Sequence, residues 1–267
     1  MMQQQLEAAI APLGRVIVAF SGGVDSAVVT AAASRALGAR ALAVTASSPS
    51  VAQGEVESAE LLAQEIGVAH EVIVTREFDD PRYRANAADR CYYCKAELYS
   101  RLTALASERG YDVVLDGTNA DDGRAALDLR PGRAAANEFA VRSPLAELGI
   151  GKTEVRAIAA GYGLRVAGKP ATPCLSSRVP HGTRIEMDDL RRIDLAERYL
   201  RANGFSTVRV RHFGDTARIE VPVEDIARLR DIEERAGRAF AAVGYERLEI
   251  DARGYRTGSL NEPPTTL

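Results

Sequence analysis

At 267 residues, 46% of them hydrophobic and 27% charged, the chain can bury one large core or two modest ones. A net charge of -3 excludes a global electrostatic pull toward nucleic acid or an anionic membrane, though not a local basic patch. No apolar run reaches the length of a membrane span and the first residues show no basic-then-apolar leader, so a cytoplasmic protein without a membrane partner is expected.

From residue 16 onward, short apolar runs alternate with segments of helical period. The pattern predicts strands over 16–20, 41–45, 71–74 and 112–115, and helices over 26–37, 55–66 and 95–109. Strands almost continuous in apolar residues and separated by helices predict a doubly wound parallel sheet, α/β in class, with its site at the carboxyl ends of the strands. A turn-rich junction follows at Gly168-Lys169-Pro170-Ala171-Thr172-Pro173, and the expected division is 1–168 and 169–267. Beyond it the pattern predicts a helix over 187–203, strands over 207–212 and 217–221, a helix over 223–243 and a strand over 247–251. That order suggests a second, smaller α+β domain with a partly antiparallel sheet.

Ser21-Gly22-Gly23-Val24-Asp25-Ser26 lies where the first apolar strand ends and a helix begins. Two glycines allow close backbone approach and positive φ, and a helix start directs free N–H groups and positive dipole at the same space. Ser21 and Ser26 add hydroxyl donors, so the loop is expected to hold phosphate. The plainer alternative is a tight turn capped by Asp25 or Ser26. Gly149-Ile150-Gly151-Lys152-Thr153 is not a Walker loop, because Ala146 stands where its first glycine belongs; it reads as the start of a helix over 152–160.

The S-G-G-x-D-S loop resembles the pyrophosphate loop of the N-type ATP pyrophosphatases, or PP-loop superfamily. Asp116-Gly117-Thr118-Asn119-Ala120-Asp121-Asp122 resembles that superfamily's G-T-N-x-D-D segment. Arg142-Ser143-Pro144-Leu145 through Lys152-Thr153-Glu154-Val155-Arg156 resembles its P-L-x-x-x-x-K-x-E-V-R stretch. The resemblance covers roughly the first 170 residues and implies an adenine nucleotide alpha hydrolase-like fold. The chemistry it implies is attack of a substrate oxygen on the α-phosphate of ATP, giving an adenylate and pyrophosphate. Ser21, Gly22, Gly23, Asp25, Ser26, Gly117 and Thr118 would then bind ATP, and Asp25 and Asp121 would hold Mg²⁺.

Three cysteines remain: Cys91 and Cys94 in a C-x-x-C, and Cys174 in Pro173-Cys174-Leu175-Ser176-Ser177-Arg178. All three lie in loop-like sequence, where Arg90, Lys95 and Arg178 would favour thiolate. Unremarkable thiols, a zinc site lacking an evident fourth ligand, a dithiol redox pair and a three-cysteine [4Fe–4S] cluster all stay open; the cluster fits the count and leaves one iron free. The whole chain resembles the LarE family, in R-C-Y-Y-C-K, in P-C-L-S-S-R with His181-Gly182 after it, and in the terminal segment 254–262. That resemblance implies an ATP-dependent sulfur transferase. Its substrate would be a pyridinium-biscarboxylic acid mononucleotide, its catalytic residues Cys174 and Asp25, and its assembly a homo-oligomer, commonly a hexamer. The product would serve the nickel-pincer nucleotide cofactor of lactate racemase. Sulfur would come from a [4Fe–4S] cluster on Cys91, Cys94 and Cys174, the favoured form, or from Cys174 itself, which becomes dehydroalanine.

Arg209 and Arg211 alternate along a predicted strand, on one face that is either a solvated edge or, as the resemblance implies, a contact for an anionic ligand. Two other functions compete: a tRNA-thiolating enzyme of the same activation chemistry, and a cluster carrier with a vestigial nucleotide loop. The first would bring an RNA-binding domain or basic tract that is not visible, and the second has no use for intact loop serines and Asp25.

Overall fold

The computed structural model describes residues 2–122, 131–170 and 172–256; of the terminal segment 254–262, residues 257–262 lie outside the described residues. Contacts divide the chain into two compact units, Met1–Tyr83 with Asp89–Thr172, and Arg84–Ala88 with Pro173–Leu267.

In the first unit the order is α1 (Met2–Ile10), β1 (Val16–Ala19), α2 (Val24–Leu37), β2 (Ala41–Ser47), α3 (Glu55–Ile66) and β3 (Ala69–Val74). A single turn, α4 (Pro81–Arg84), precedes α5 (Arg90–Arg109), β4 (Val113–Leu115), α6 (Pro131–Glu138), the short α7 (Pro144–Glu147) and α8 (Lys152–Gly161). The four strands form one parallel sheet in the order β3-β2-β1-β4. Because side chains alternate along a strand, Val16 and Val18 of β1 enter one core, with α1, α2, α3 and α8. Ile17 enters the other, with Tyr99 and Leu102 of α5 and Ala135 of α6. Helices therefore cover both faces at β1, which is apolar without a break, whereas the outer strand β3 admits His70 and Glu71 and has no buried position. The chain runs outward through β2 and β3, then returns to the far side of β1 as β4. The order reverses between β1 and β4, the place where open α/β sheets part their loops into a crevice.

In the second unit, α9 (Met187–Ala202) is followed by β5 (Arg209–Phe213), β6 (Thr216–Glu220), α10 (Ile226–Asp231), α11 (Glu233–Ala242) and β7 (Arg247–Ile250). The sheet order is β5-β6-β7, with β5 antiparallel and β7 parallel to β6. Leu200, Phe205, Val210, Ile219, Leu229 and Phe240 form its core. The helix expected over 223–243 is interrupted: Ile232 leaves helical geometry (φ -110°, ψ 6°) and its N–H bonds back to Leu229 O in a tightened last turn. Leu229 and Phe240, one from each segment, reach the same core. Asn86, fully buried and at φ 56°, belongs to this unit. Its amide donates to the carbonyls of Val179 (3.3 Å), Pro180 (2.8 Å) and Thr183 (3.0 Å).

Two histidines carry a pH dependence. His70 bonds Thr45 Oγ1 at 2.8 Å, and since Thr45 donates to Phe20 O, His70 Nε2 is the donor in that pair. Burial holds His70 below its ordinary value against the pull of Glu60 and Glu71. Burial does the same to His212, outweighing Asp189 at 3.3 Å and reinforced by Arg192. The unfolded chain thus takes up these protons more readily, and stability falls as pH drops through the ordinary value near 6.5. Urea midpoints are expected to be lower at about pH 5.5 than at about pH 7.5, with His212→Gln flattening the difference. A midpoint that rises on acidification would contradict the assignment.

Candidate active site

The first constellation forms at the carboxyl ends of β1 and β4. Phe20 N still bonds Val44 O at 2.8 Å, and the chain then turns through Ser21, Gly22 and Gly23 into α2. Gly22 has φ 71°, and a Cβ there would stand 3.1 Å from Ala59 Cβ of α3. Gly23 is the N-cap and α2 has no side-chain cap. The alternative in which Asp25 or Ser26 caps the helix is thereby overturned: among the described residues no side chain caps α2, and its leading N–H groups stay available to an anion. Ser26 Oγ instead donates to Gly23 O (3.0 Å) and lies 3.2 Å from Ser21 Oγ, so both hydroxyls face one point.

The β4 loop presses on this turn. A Cβ on Gly117 would fall 2.6 Å from Ser26 N and 2.9 Å from Ser26 Cα, so only glycine lets the two loops meet. Gly117→Ala is expected to destabilise the unit by about 1–3 kcal/mol and to weaken ATP binding about tenfold, read by urea unfolding and by calorimetry. Buried Asp116 fixes the loop's direction. It accepts from Tyr99 Oη (2.7 Å), Thr118 N (3.0 Å), Thr118 Oγ1 (2.8 Å) and Ser143 Oγ (2.7 Å). Burial and then Asp116's charge push the Tyr99 hydroxyl well up, keeping it a donor. The Thr118 hydroxyl, expected on the nucleotide, is spent on Asp116 and shapes the loop.

Asp25, at the start of α2, pairs with Lys152 Nζ at 2.5 Å and accepts from Asn119 Nδ2 at 3.1 Å. Asp121 accepts from Lys152 N at 2.7 Å, and Asn119 Oδ1 accepts from Asp121 N at 2.9 Å. The two carboxylates expected to hold Mg²⁺ are therefore tied to one residue, with Lys152 supplying the cation. Lys152 and Asn119 were not assigned roles from sequence, although both stand in the motifs quoted above. α8 does begin at Lys152, with Gly151 as N-cap. Among the described residues, no three His, Cys, Asp or Glu side chains gather as a metal site.

Cys91 and Cys94 do not lie in a loop. α5 begins at Arg90, so the two thiols, three residues apart, share a helix face; Cys91 is exposed and Cys94 partly so. None of the three cysteines is in a disulfide. Cys174 is exposed in the second unit, just ahead of a 3-10 turn over Leu175–Arg178. Lys95 Nζ sits over the Tyr99 ring (5.3 Å), Arg90 is buried, and Arg178 is ion-paired to Glu197 (2.8 Å).

Arg209 and Arg211 are buried, not a solvated edge. Arg211 pairs with Glu220 at 2.8 Å and donates to Ser177 O at 3.0 Å; Arg209 donates to Val208 O and lies over the Tyr255 ring at 5.3 Å. Burial and the like charge of Arg178 hold the Arg209 guanidinium below its ordinary value. The PP-loop residues thus come together in one unit, while Cys174, Arg209 and Arg211 belong to the other. Glu197 escaped the sequence reading altogether. Its signal was a carboxylate on the buried 190–193–197–200 stripe of α9.

The family model described as asparagine synthase matches residues 3–198. The chain is 47% identical over 251 residues to an uncharacterized protein of Synechocystis sp., covering 93% of this chain and 92% of that one. It is 38% identical over 261 residues to the pyridinium-3,5-bisthiocarboxylic acid mononucleotide synthase of Lactiplantibacillus plantarum, covering 97% and 94%. An uncharacterized protein of Methanocaldococcus jannaschii is 29% identical over 243 residues, 91% of each.

Proposed function

Since the chain belongs to the LarE family, with a nucleotide-binding part of the PP-loop type, we propose that it adenylylates a carboxylate of a pyridinium-biscarboxylic acid mononucleotide and replaces one carboxylate oxygen by sulfur. The observation that carries this reading is the uncapped start of α2. It faces Ser21 and Ser26 and is held open by glycines at 22 and 117.

In the first half-reaction the substrate carboxylate attacks the α-phosphate and pyrophosphate departs. The leading N–H groups of α2 and the Ser21 hydroxyl take up the charge on the leaving group, joined by the Ser26 hydroxyl once it gives up its bond to Gly23 O. Asp25 and Asp121 would hold the Mg²⁺ that accompanies ATP, and the ion supplies further positive charge there. Once Asp25 is so engaged, Lys152 offers its ammonium to the phosphates.

In the second half-reaction a sulfur nucleophile attacks the acyl carbon and AMP leaves. Two accessible thiols one helical turn apart at Cys91 and Cys94 fit as ligands of a [4Fe–4S] cluster. The resemblance to the LarE family implies Cys174 as the third ligand, and such a cluster would supply the sulfide. In the alternative, Cys174 thiolate attacks, giving a thioester. Loss of the Cys174 Cα proton then breaks its Cβ–S bond and leaves a thiocarboxylate and dehydroalanine. The cluster form is favoured because the second route gives Cys91 and Cys94 no task. Arg209, buried beside Arg178, is proposed to meet the substrate's phosphate.

Pyrophosphate and AMP should appear only when the pyridinium-biscarboxylic acid mononucleotide is added, with a product heavier by the exchange of oxygen for sulfur. Stimulation by bulk tRNA and not by that nucleotide would transfer the reading to an RNA thiolase.

A further inference from the structure

We propose that Arg178 and Glu197 are positioning residues for Cys174: a fully buried ion pair that fixes the main chain beside an exposed thiol. The inference rests on the reading of Cys174 as the sulfur-transfer residue. Arg178 and Glu197 have no exposed surface, a rare state for either type. They meet through two bonds, Nε to Oε1 at 2.8 Å and Nη2 to Oε2 at 3.0 Å. Glu197 is held in turn by Arg201 at 2.6 Å and Val210 N at 3.1 Å. With that edge of the guanidinium immobilised, Arg178 Nη1 donates to Pro173 O (2.6 Å), Cys174 O (2.9 Å) and Ser177 Oγ (3.0 Å). The Cys174 carbonyl also accepts from Ser177 N (3.0 Å) and Ser177 Oγ (2.7 Å).

A second buried pair repeats the device. Glu220 holds Nε (3.0 Å) and Nη2 (2.8 Å) of Arg211, whose Nη1 donates to Ser177 O (3.0 Å). Both arginines thus turn one edge to a carboxylate and the other to the turn that begins at Cys174. A planar fork can do both at once, and a lysine ammonium cannot. Fold stability alone does not call for this arrangement, since apolar residues of similar size commonly serve a core as well as a buried pair. What the charges provide is direction: donors fixed on the carbonyls of residues 173, 174 and 177, leaving the Cys174 side chain exposed and unspent.

The test uses the full chain with Arg178→Lys, which keeps the charge and loses the fork, and the double variant Arg178→Met with Glu197→Gln. The double variant strands no buried charge and keeps an acceptor for Val210 N. Three quantities are measured: pyrophosphate release, sulfur inserted per pyrophosphate released, and the iodoacetamide alkylation rate of the Cys174 peptide. Pyrophosphate release is expected to stay within about twofold of wild type, while sulfur per pyrophosphate falls about a hundredfold. Alkylation at Cys174 is expected to change by at least about threefold. Wild-type sulfur yield in either folded variant overturns the proposal. If Cys174→Ala still inserts sulfur, the role given to Cys174 fails by itself. The positioning claim is then decided by alkylation, and an unchanged rate in both variants overturns it.

Discussion

Cys174→Ala is expected to lower sulfur insertion at least about a thousandfold while ATP–pyrophosphate exchange stays near wild type. The separation follows from where each task sits. Under the proposed reading, the groups that act on ATP are Ser21, Asp25, Ser26 and Lys152, all in the first unit, and Cys174 lies in the second. Alanine keeps the turn intact, because the contacts at this position run through the backbone carbonyl and the thiol is exposed. Coupled loss of exchange and insertion would refute the division of labour. A Cys91→Ser, Cys94→Ser double variant then separates the sulfur sources. Under the cluster route it also fails to insert sulfur, whereas under the sacrificial route it turns over once and loses the mass of H₂S at Cys174.

Lys152→Ala is expected to slow pyrophosphate release by about 10²–10³-fold. The ammonium is ion-paired to Asp25 at 2.5 Å and is brought there by the first residue of α8. Its removal leaves Asp25 bonded to Asn119 and open to water, so the fold is expected to survive and the urea midpoint to move little. Mg²⁺ dependence is the informative readout. Without a competing ammonium on Asp25, half-saturation by the ion is expected at lower concentration even as the maximal rate drops. A variant releasing pyrophosphate at the wild-type rate would remove Lys152 from the mechanism.

The turn from β1 into α2 was readable in advance because everything it needs is local: an apolar strand, two glycines and a helix start within ten residues. The inner strands were likewise readable, since burial leaves β1 and most of β2 apolar, and α3 runs over the expected 55–66. Cys91 and Cys94 were misplaced because Cys-Tyr-Tyr-Cys is poor in helix-favouring residues. The first turn of α5 is formed by packing, with Tyr92 set against the core around Tyr99 and Leu102, and local propensity does not report that. Arg209 and Arg211 lie on the expected strand, and of the two environments left open for them burial rules out the solvated edge. Alternation gives a face, but the carboxylates that make burial tolerable, Glu197 and Glu220, stand on other elements and are matched only after folding. The same holds for Lys152, whose partner Asp25 lies 127 residues earlier.

The buried Asn86 has a consequence for the order of assembly. The carbonyls it binds come 93 to 97 residues later in the chain. During synthesis, therefore, residues 84–88 leave the ribosome long before the unit they complete, and must wait unpaired while α5 and β4 are being made. A gene fragment beginning at Pro173 would encode a body missing its internal strut, and one ending at Thr172 would carry that strut with nothing to bind. The two units are thus interleaved in the order of their making, and neither can be inherited, fused or exchanged as a single contiguous piece.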